Sequence, residues 1–326
     1  MKGLILLYHR IAQLPSDPQL LAVTPARFAQ HLDVLSDYGH PMSLTDMTTA
    51  LRERRLPDRA IAVTFDDGYA DNLECAKPLL ERRGIRATVF ITTSYLAGTR
   101  EFWWDDLERL LLLPGGLPER LRLRVGPAVH EWRLGDAAEY SEEEYLRHSG
   151  WNVERPDNPS RRHNVYRDLC RLMRDVIGEE RIAVLDELSS VAGARSTGRS
   201  THRALSSEAL GEVTKDSVFD VGAHTGTHSR LSALPVVVQR REIVESYSRL
   251  REITGGEVAG FAYPFGGRAD YTRRTVALVR EAGFAFACSN IPGSVRPRSD
   301  PFQLPRVLVM NWHAATFADR LREWLG

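Results

Sequence analysis

Two short stretches of this chain hold the residue types that could do chemistry. The first is Ile61-Ala62-Val63-Thr64-Phe65-Asp66-Asp67-Gly68, an apolar run that delivers two adjacent carboxylates and a glycine. Neighbouring residues at a strand end point to different sides, so one carboxylate can bind a cation while the other faces a substrate. The glycine lets the backbone turn sharply there. Taken alone, Asp-Asp-Gly is equally a good turn. The second stretch, Val221-Gly222-Ala223-His224-Thr225-Gly226-Thr227-His228, runs into two histidines four residues apart. That spacing puts both imidazoles on one side of a helical turn, within reach of a single divalent ion. Two histidines and one carboxylate leave positions open for water and substrate, as a catalytic metal site requires.

The elements that must position these residues follow from the apolar pattern. Gly3–Tyr8, Ile61–Phe65 and Arg86–Ile91 read as strands, with helices over Arg27–Tyr38 and Asn72–Arg83 between them. The rhythm returns after residue 200, with strands at Val218–Gly222, Val258–Ala262, Phe284–Ala287 and Val307–Val309 and helices over Val237–Ile253 and Thr272–Ala282. Such alternation predicts a parallel sheet or barrel. Over residues 96–202 the rhythm breaks. A β-hairpin is expected around Gly126-Pro127, then charged helices over Glu142–Arg147 and Asn164–Leu188, and a polar linker at Ala192–Ser200. The expected organisation is one α/β domain, a barrel from about 1–95 and 203–326 with an inserted helical and hairpin cap.

The whole chain has 326 residues, of which 43% are hydrophobic, enough for one large core. Lys+Arg and Asp+Glu both number 43, so the basic footprint of a nucleic-acid binder is missing. Three widely spaced cysteines, Cys75, Cys170 and Cys288, suggest neither a disulfide framework nor a thiolate zinc site. The early apolar run, Leu4–Leu7, is too short for a secretory signal or an integral membrane segment, so a cytoplasmic protein is expected. Its oligomeric state is not legible.

With Thr64-Phe65-Asp66-Asp67-Gly68 first, His224-x3-His228 later and Phe261-Ala262-Tyr263-Pro264-Phe265-Gly266 third, the sequence resembles the polysaccharide deacetylase family, the chitooligosaccharide deacetylase homology domain of carbohydrate esterases. The resemblance implies a deformed (β/α) barrel and a metal-dependent de-N-acetylase acting on an N-acetylated amino sugar. It implies that Asp67, His224 and His228 hold a divalent metal, usually zinc, that Asp66 is the general base, and that the backbone N–H of Phe265 stabilises the oxyanion. The same metal logic would serve O-deacetylation, deformylation or small-amide hydrolysis, and a carbohydrate-binding relic is the non-catalytic alternative.

The chain departs from the family pattern in three places. The Leu-x-His that commonly supplies the acid is missing, which leaves His9, in Tyr8-His9-Arg10, and His313; family members with Tyr-His at the first strand end make His9 the preferred acid. Ala262 stands where the family often has an arginine that orients the base, and Arg306 is the candidate replacement. No Asp-x-x-Asp-Trp segment is present to form the usual pocket wall. Trp312 and Tyr263 are candidate substrate-binding residues, since aromatic faces suit a pyranose.

Overall fold

The computed structural model describes residues 2–97, 100–194, 198–213 and 218–326, which fall into two compact units. The first comprises Met1–Gln13, Leu21–Leu96 and Leu205–Gly326, and the second Leu14–Leu20 and Ala97–Ala204.

The first unit is built on an eight-stranded sheet: β1 (Gly3–Tyr8), β2 (His40–Pro41), β3 (Ala60–Phe65), β4 (Ala87–Ile91), β5 (Phe219–Ala223), β6 (Gly260–Ala262), β7 (Phe286–Cys288) and β8 (Val307–Leu308). The order is β7-β6-β5-β4-β3-β1-β8, with β2 also on β3, and every pairing is parallel. The longest strands, Gly-Leu-Ile-Leu-Leu-Tyr and Ala-Ile-Ala-Val-Thr-Phe, are buried at every position. They are continuous apolar runs because a parallel sheet covered on both faces has no solvent side. Inside the curled sheet lie Ile5, Ala62, Phe90, Ala262 and Phe286, and this core extends to the helix Leu44–Arg52.

Because all strands run the same way, their C-terminal ends collect on one edge, where this class of sheet places its chemistry. Tyr8, Phe65, Ala223 and Ala262 are therefore followed directly by His9, Asp66, His224 and Tyr263. Seven of these strands match the expected ones to within one or two residues at each end; β2, only two residues long, was not expected.

The second unit contains the hairpin Arg120–Val125 with Ala128–Arg133 and the helices Trp103–Leu111, Glu142–His148, Arg161–Met173 and Gly178–Val191. It also takes in Leu14–Leu20, which the expected boundaries place in the barrel. The helical stretch expected over Asn164–Leu188 is broken into two helices. Trp103 and Trp104 are buried at 3% and 5%, and Trp104 stacks on Phe102, so both are packing residues. Part of the expected linker, residues 195–197, lies outside the described residues.

Candidate active site

The two carboxylates diverge as the strand-end geometry predicts. Asp66 lies at the end of β3 with its N–H on the carbonyl of Tyr8 (3.0 Å), and Asp67 turns away with φ 74°. Gly68 follows at φ 89°, a region glycine enters without a Cβ penalty.

Asp67 meets both histidines. Its Oδ1 is 3.6 Å from His224 Nε2 and 3.4 Å from His228 Nε2, and the three residues are 2%, 1% and 6% exposed. Ligands about 2.0–2.1 Å from a tetrahedral ion stand roughly 3.4 Å apart, so these spacings fit one divalent cation. His224 donates its Nδ1–H to the carbonyl of Ala262 (2.8 Å), which leaves Nε2 as the lone-pair nitrogen facing Asp67. Burial, opposed by Asp66, holds the His224 imidazole below its ordinary range and so neutral, the form a ligand needs. The ring of His228 packs edge-on to Phe265, with centroids 4.8 Å apart.

Arg306 compensates Asp66. Its Nη1 and Nη2 donate to the two carboxylate oxygens, each at 2.6 Å, while Nε donates to the carbonyl of Ser289 (2.9 Å). The register Leu6↔Val307 sets Arg306 level with Ile5, three residues before the end of β1, so the guanidinium approaches Asp66 from inside the barrel. Thr64 Oγ1 accepts a further bond from Nη1 and donates its own hydroxyl to Leu6 O. Burial pushes the Asp66 carboxyl up, but Arg306, then His224 and His9, more than reverse this and hold it below the usual carboxylate range.

His9 belongs to the same electrostatic cluster. Burial lowers its imidazole to about 4, with Asp66 pulling up and Arg306 and His224 pushing down. Its Nδ1 is buried with no hydrogen-bond partner, and its carbonyl is fixed by Asn72 Nδ2 at 2.8 Å. His313 is exposed at the start of the helix Ala314–Leu325 and pairs with Arg27 Nη2 (3.1 Å). Phe265 adopts φ 61° in a tight turn that Gly266 closes against Asn290.

Tyr263 is a correction. It is fully buried, stacked on Tyr271 with centroids 4.0 Å apart and donating to the carbonyl of Phe302, so it is a packing residue with no face for a sugar. Trp312 is half-buried against Trp324 and the guanidinium of Arg320, and its carbonyl accepts from His31. Sequence reasoning missed Asn72, which sits in no strand-end motif.

The polysaccharide deacetylase family model matches residues 53–113 and 191–287, stretches that enclose Asp66, Asp67, His224, His228 and Phe265. The polysaccharide deacetylase homologue YxkH of Bacillus subtilis (strain 168) is 34% identical over 90 residues, 27% of this chain and 30% of YxkH, so the match spans less than a third of that relative. The fold is that of the Streptococcus pyogenes deacetylase PplD (17% identity, TM-score 0.57, 100% of this chain and 99% of PplD) and of IcaB from Ammonifex degensii (19%, TM-score 0.58, 99% and 97%). His9 and Arg306, the candidates for two of the three departures from the common pattern, lie outside the matched stretches. The signature on β3 and β5, the parallel half-barrel that carries it and the family match agree: residues 53–113 and 191–287 carry a polysaccharide deacetylase domain.

Proposed function

We propose that the protein is a metal-dependent hydrolase that removes the N-acetyl group from an amino-sugar substrate, a saccharide or glycoconjugate precursor, to give acetate and a free amine. The convergence of Asp67, His224 and His228 beside an arginine-held Asp66 carries this reading. The three first-named residues would hold the metal, to which we assign zinc from the borderline-soft nitrogen and oxygen donor set. When bound, it supplies a more acidic water and polarises the substrate carbonyl.

The rest is done by the chain itself. Asp66, kept ionised by Arg306, takes the proton of the attacking water. The N–H of Phe265 is the donor we assign to the oxyanion. His9 is the acid: neutral at pH 7 in the resting site, it receives a proton by way of the neighbouring Asp66 and hands it to the amine nitrogen as the C–N bond breaks. All three cysteines are thiols, in keeping with the reducing cytoplasm, where we place the reaction. No helix among the described residues is long and apolar enough to cross a membrane.

The test is acetate release from free, nucleotide-linked and lipid-linked N-acetylhexosamines by the zinc-loaded protein, with a chelated control. Asp66→Asn is expected to lower kcat by about 100-fold or more while zinc still binds. Zinc-independent release, or full activity in Asp66→Asn, would overturn the mechanism. Release of formate or loss of an O-acetyl group instead would keep the site and change the substrate.

A further inference from the structure

The loop that joins the two histidines is held in a conformation its own residues disfavour. Thr225 has φ 66° and His228 φ 56°, left-handed values that are costly for residues with a Cβ and most so for a β-branched one. Internally the loop has the bond from His228 N–H to Thr225 Oγ1 (3.0 Å). One edge is tied to the turn after β4, where Thr93 N–H and Ser94 N–H donate to the carbonyls of Thr225 and Gly226.

The other edge is gripped by a single carboxylate. Glu242, on the helix Val236–Thr254, is 7% exposed, and its two oxygens accept from the N–H of Thr227 (2.8 Å) and from Thr227 Oγ1 (2.9 Å). The fit is close: a Cβ on Gly226 would lie 3.2 Å from Glu242 Oε2. Thr227 immediately precedes His228, so the Glu242 clamp acts one peptide away from a metal-binding imidazole.

We infer that Glu242 is a positioning residue for the metal site, fixing His228 in chelating geometry and so setting the affinity of the protein for its metal. The inference rests on the metal-binding reading above and adds to it a residue on a helix outside all three motifs. Carboxylates that orient ligands from behind are worth about 10- to 100-fold in metal affinity.

The experiment measures zinc affinity by chelator competition, and the visible spectrum of the cobalt-loaded protein, for wild type and variants. Glu242→Ala is expected to bind zinc about 10- to 100-fold more weakly with an altered cobalt spectrum. Glu242→Gln, whose amide can accept from Thr227 N–H and donate to Thr227 Oγ1, should restore most of the affinity. Gln239→Ala is the control: Gln239 is buried one turn earlier on the same helix but bonds to Leu234 and Thr275, away from the loop. Should Glu242→Ala not fold, Thr227→Val removes one of the two clamp donors and should weaken zinc in the same direction. Unchanged zinc affinity in the folded Glu242 or Thr227 variants, or an equal loss in Gln239→Ala, would overturn the inference. A wild-type protein that binds no zinc would instead sink the metal-site reading itself.

Discussion

Arg306 directs all of its guanidinium nitrogens to acceptors inside the barrel, and its side chain is fully buried against a carboxylate that is almost as deep. Such a pair is costly to form and costlier to break, because removal of one partner leaves the other charged and desolvated. Arg306→Met is therefore expected to destabilise the fold by about 3–5 kcal/mol, measured by denaturant unfolding. The double variant Arg306→Met/Asp66→Leu should recover most of that loss while remaining inactive. If the double variant is as unstable as the single one, the cost belongs to lost packing and not to a stranded charge. The need for this arginine was legible, since the motif residue that would hold the base is Ala262 and the chemistry still requires a compensating cation. Glu242 was not: a glutamate on a charged helix has no local signal, and only the folded loop shows what it grips.

At the scale of elements, β5 and β6 carry the histidine turn and the Phe265 turn, and they owe their approach to the sheet interior to two glycines. A Cβ on Gly222 would lie 2.4 Å from Phe90 Cδ1, and one on Gly260 would lie 2.5 Å from Phe286 Cε2. Gly222→Ala is thus expected to cost about 1–3 kcal/mol by overpacking, with Phe90→Leu in the same chain relieving part of it. Denaturant midpoints of the single and double variants check this; a neutral Gly222→Ala would mean that the ring moves aside freely. The strands themselves were readable because a doubly covered parallel strand is an uninterrupted apolar run. The break between the helices Arg161–Met173 and Gly178–Val191 was not. It is made by Arg181, fully buried, whose Nε and Nη2 donate to the carbonyls of Met173 and Val176 and satisfy the end of the preceding helix. That is a tertiary contact; the one local signal, Gly178, opens the second helix and does not sit at the end of the first. The expected helix over Asn72–Arg83 opens instead with a π-helical turn, Asn72–Ala76, whose first side chain is drawn to the carbonyl of His9.

For the whole molecule, equal numbers of acidic and basic residues leave the acid response to individual buried groups. Each unit carries a histidine that burial lowers to about 4, His31 in the first and His163 in the second. In His31, Nε2–H donates to Trp312 O (2.9 Å), which pulls the ring up, and Nδ1 faces the hydroxyl of Tyr8 (3.3 Å); burial outweighs that pull and keeps the ring neutral. Between pH 6.5, the unfolded value, and about 4, the unfolded chain binds protons that the native state refuses, so stability falls as the pH drops through this window and is flat above it. Buried carboxyls that burial raises, Asp71, Asp106 and Glu108, act in the opposite sense nearer their own range, so the histidine slope is cleanest at the upper end of the window. His31→Gln keeps a donor for Trp312 O and an acceptor for Tyr8 without a titrating ring. It is expected to reduce the slope of unfolding free energy by up to about 1.4 kcal/mol per pH unit between pH 6.5 and 5, with no change above pH 7. Denaturant unfolding at a series of pH values reads this directly, and a variant whose slope matches wild type would show that His31 is protonated in the native fold after all.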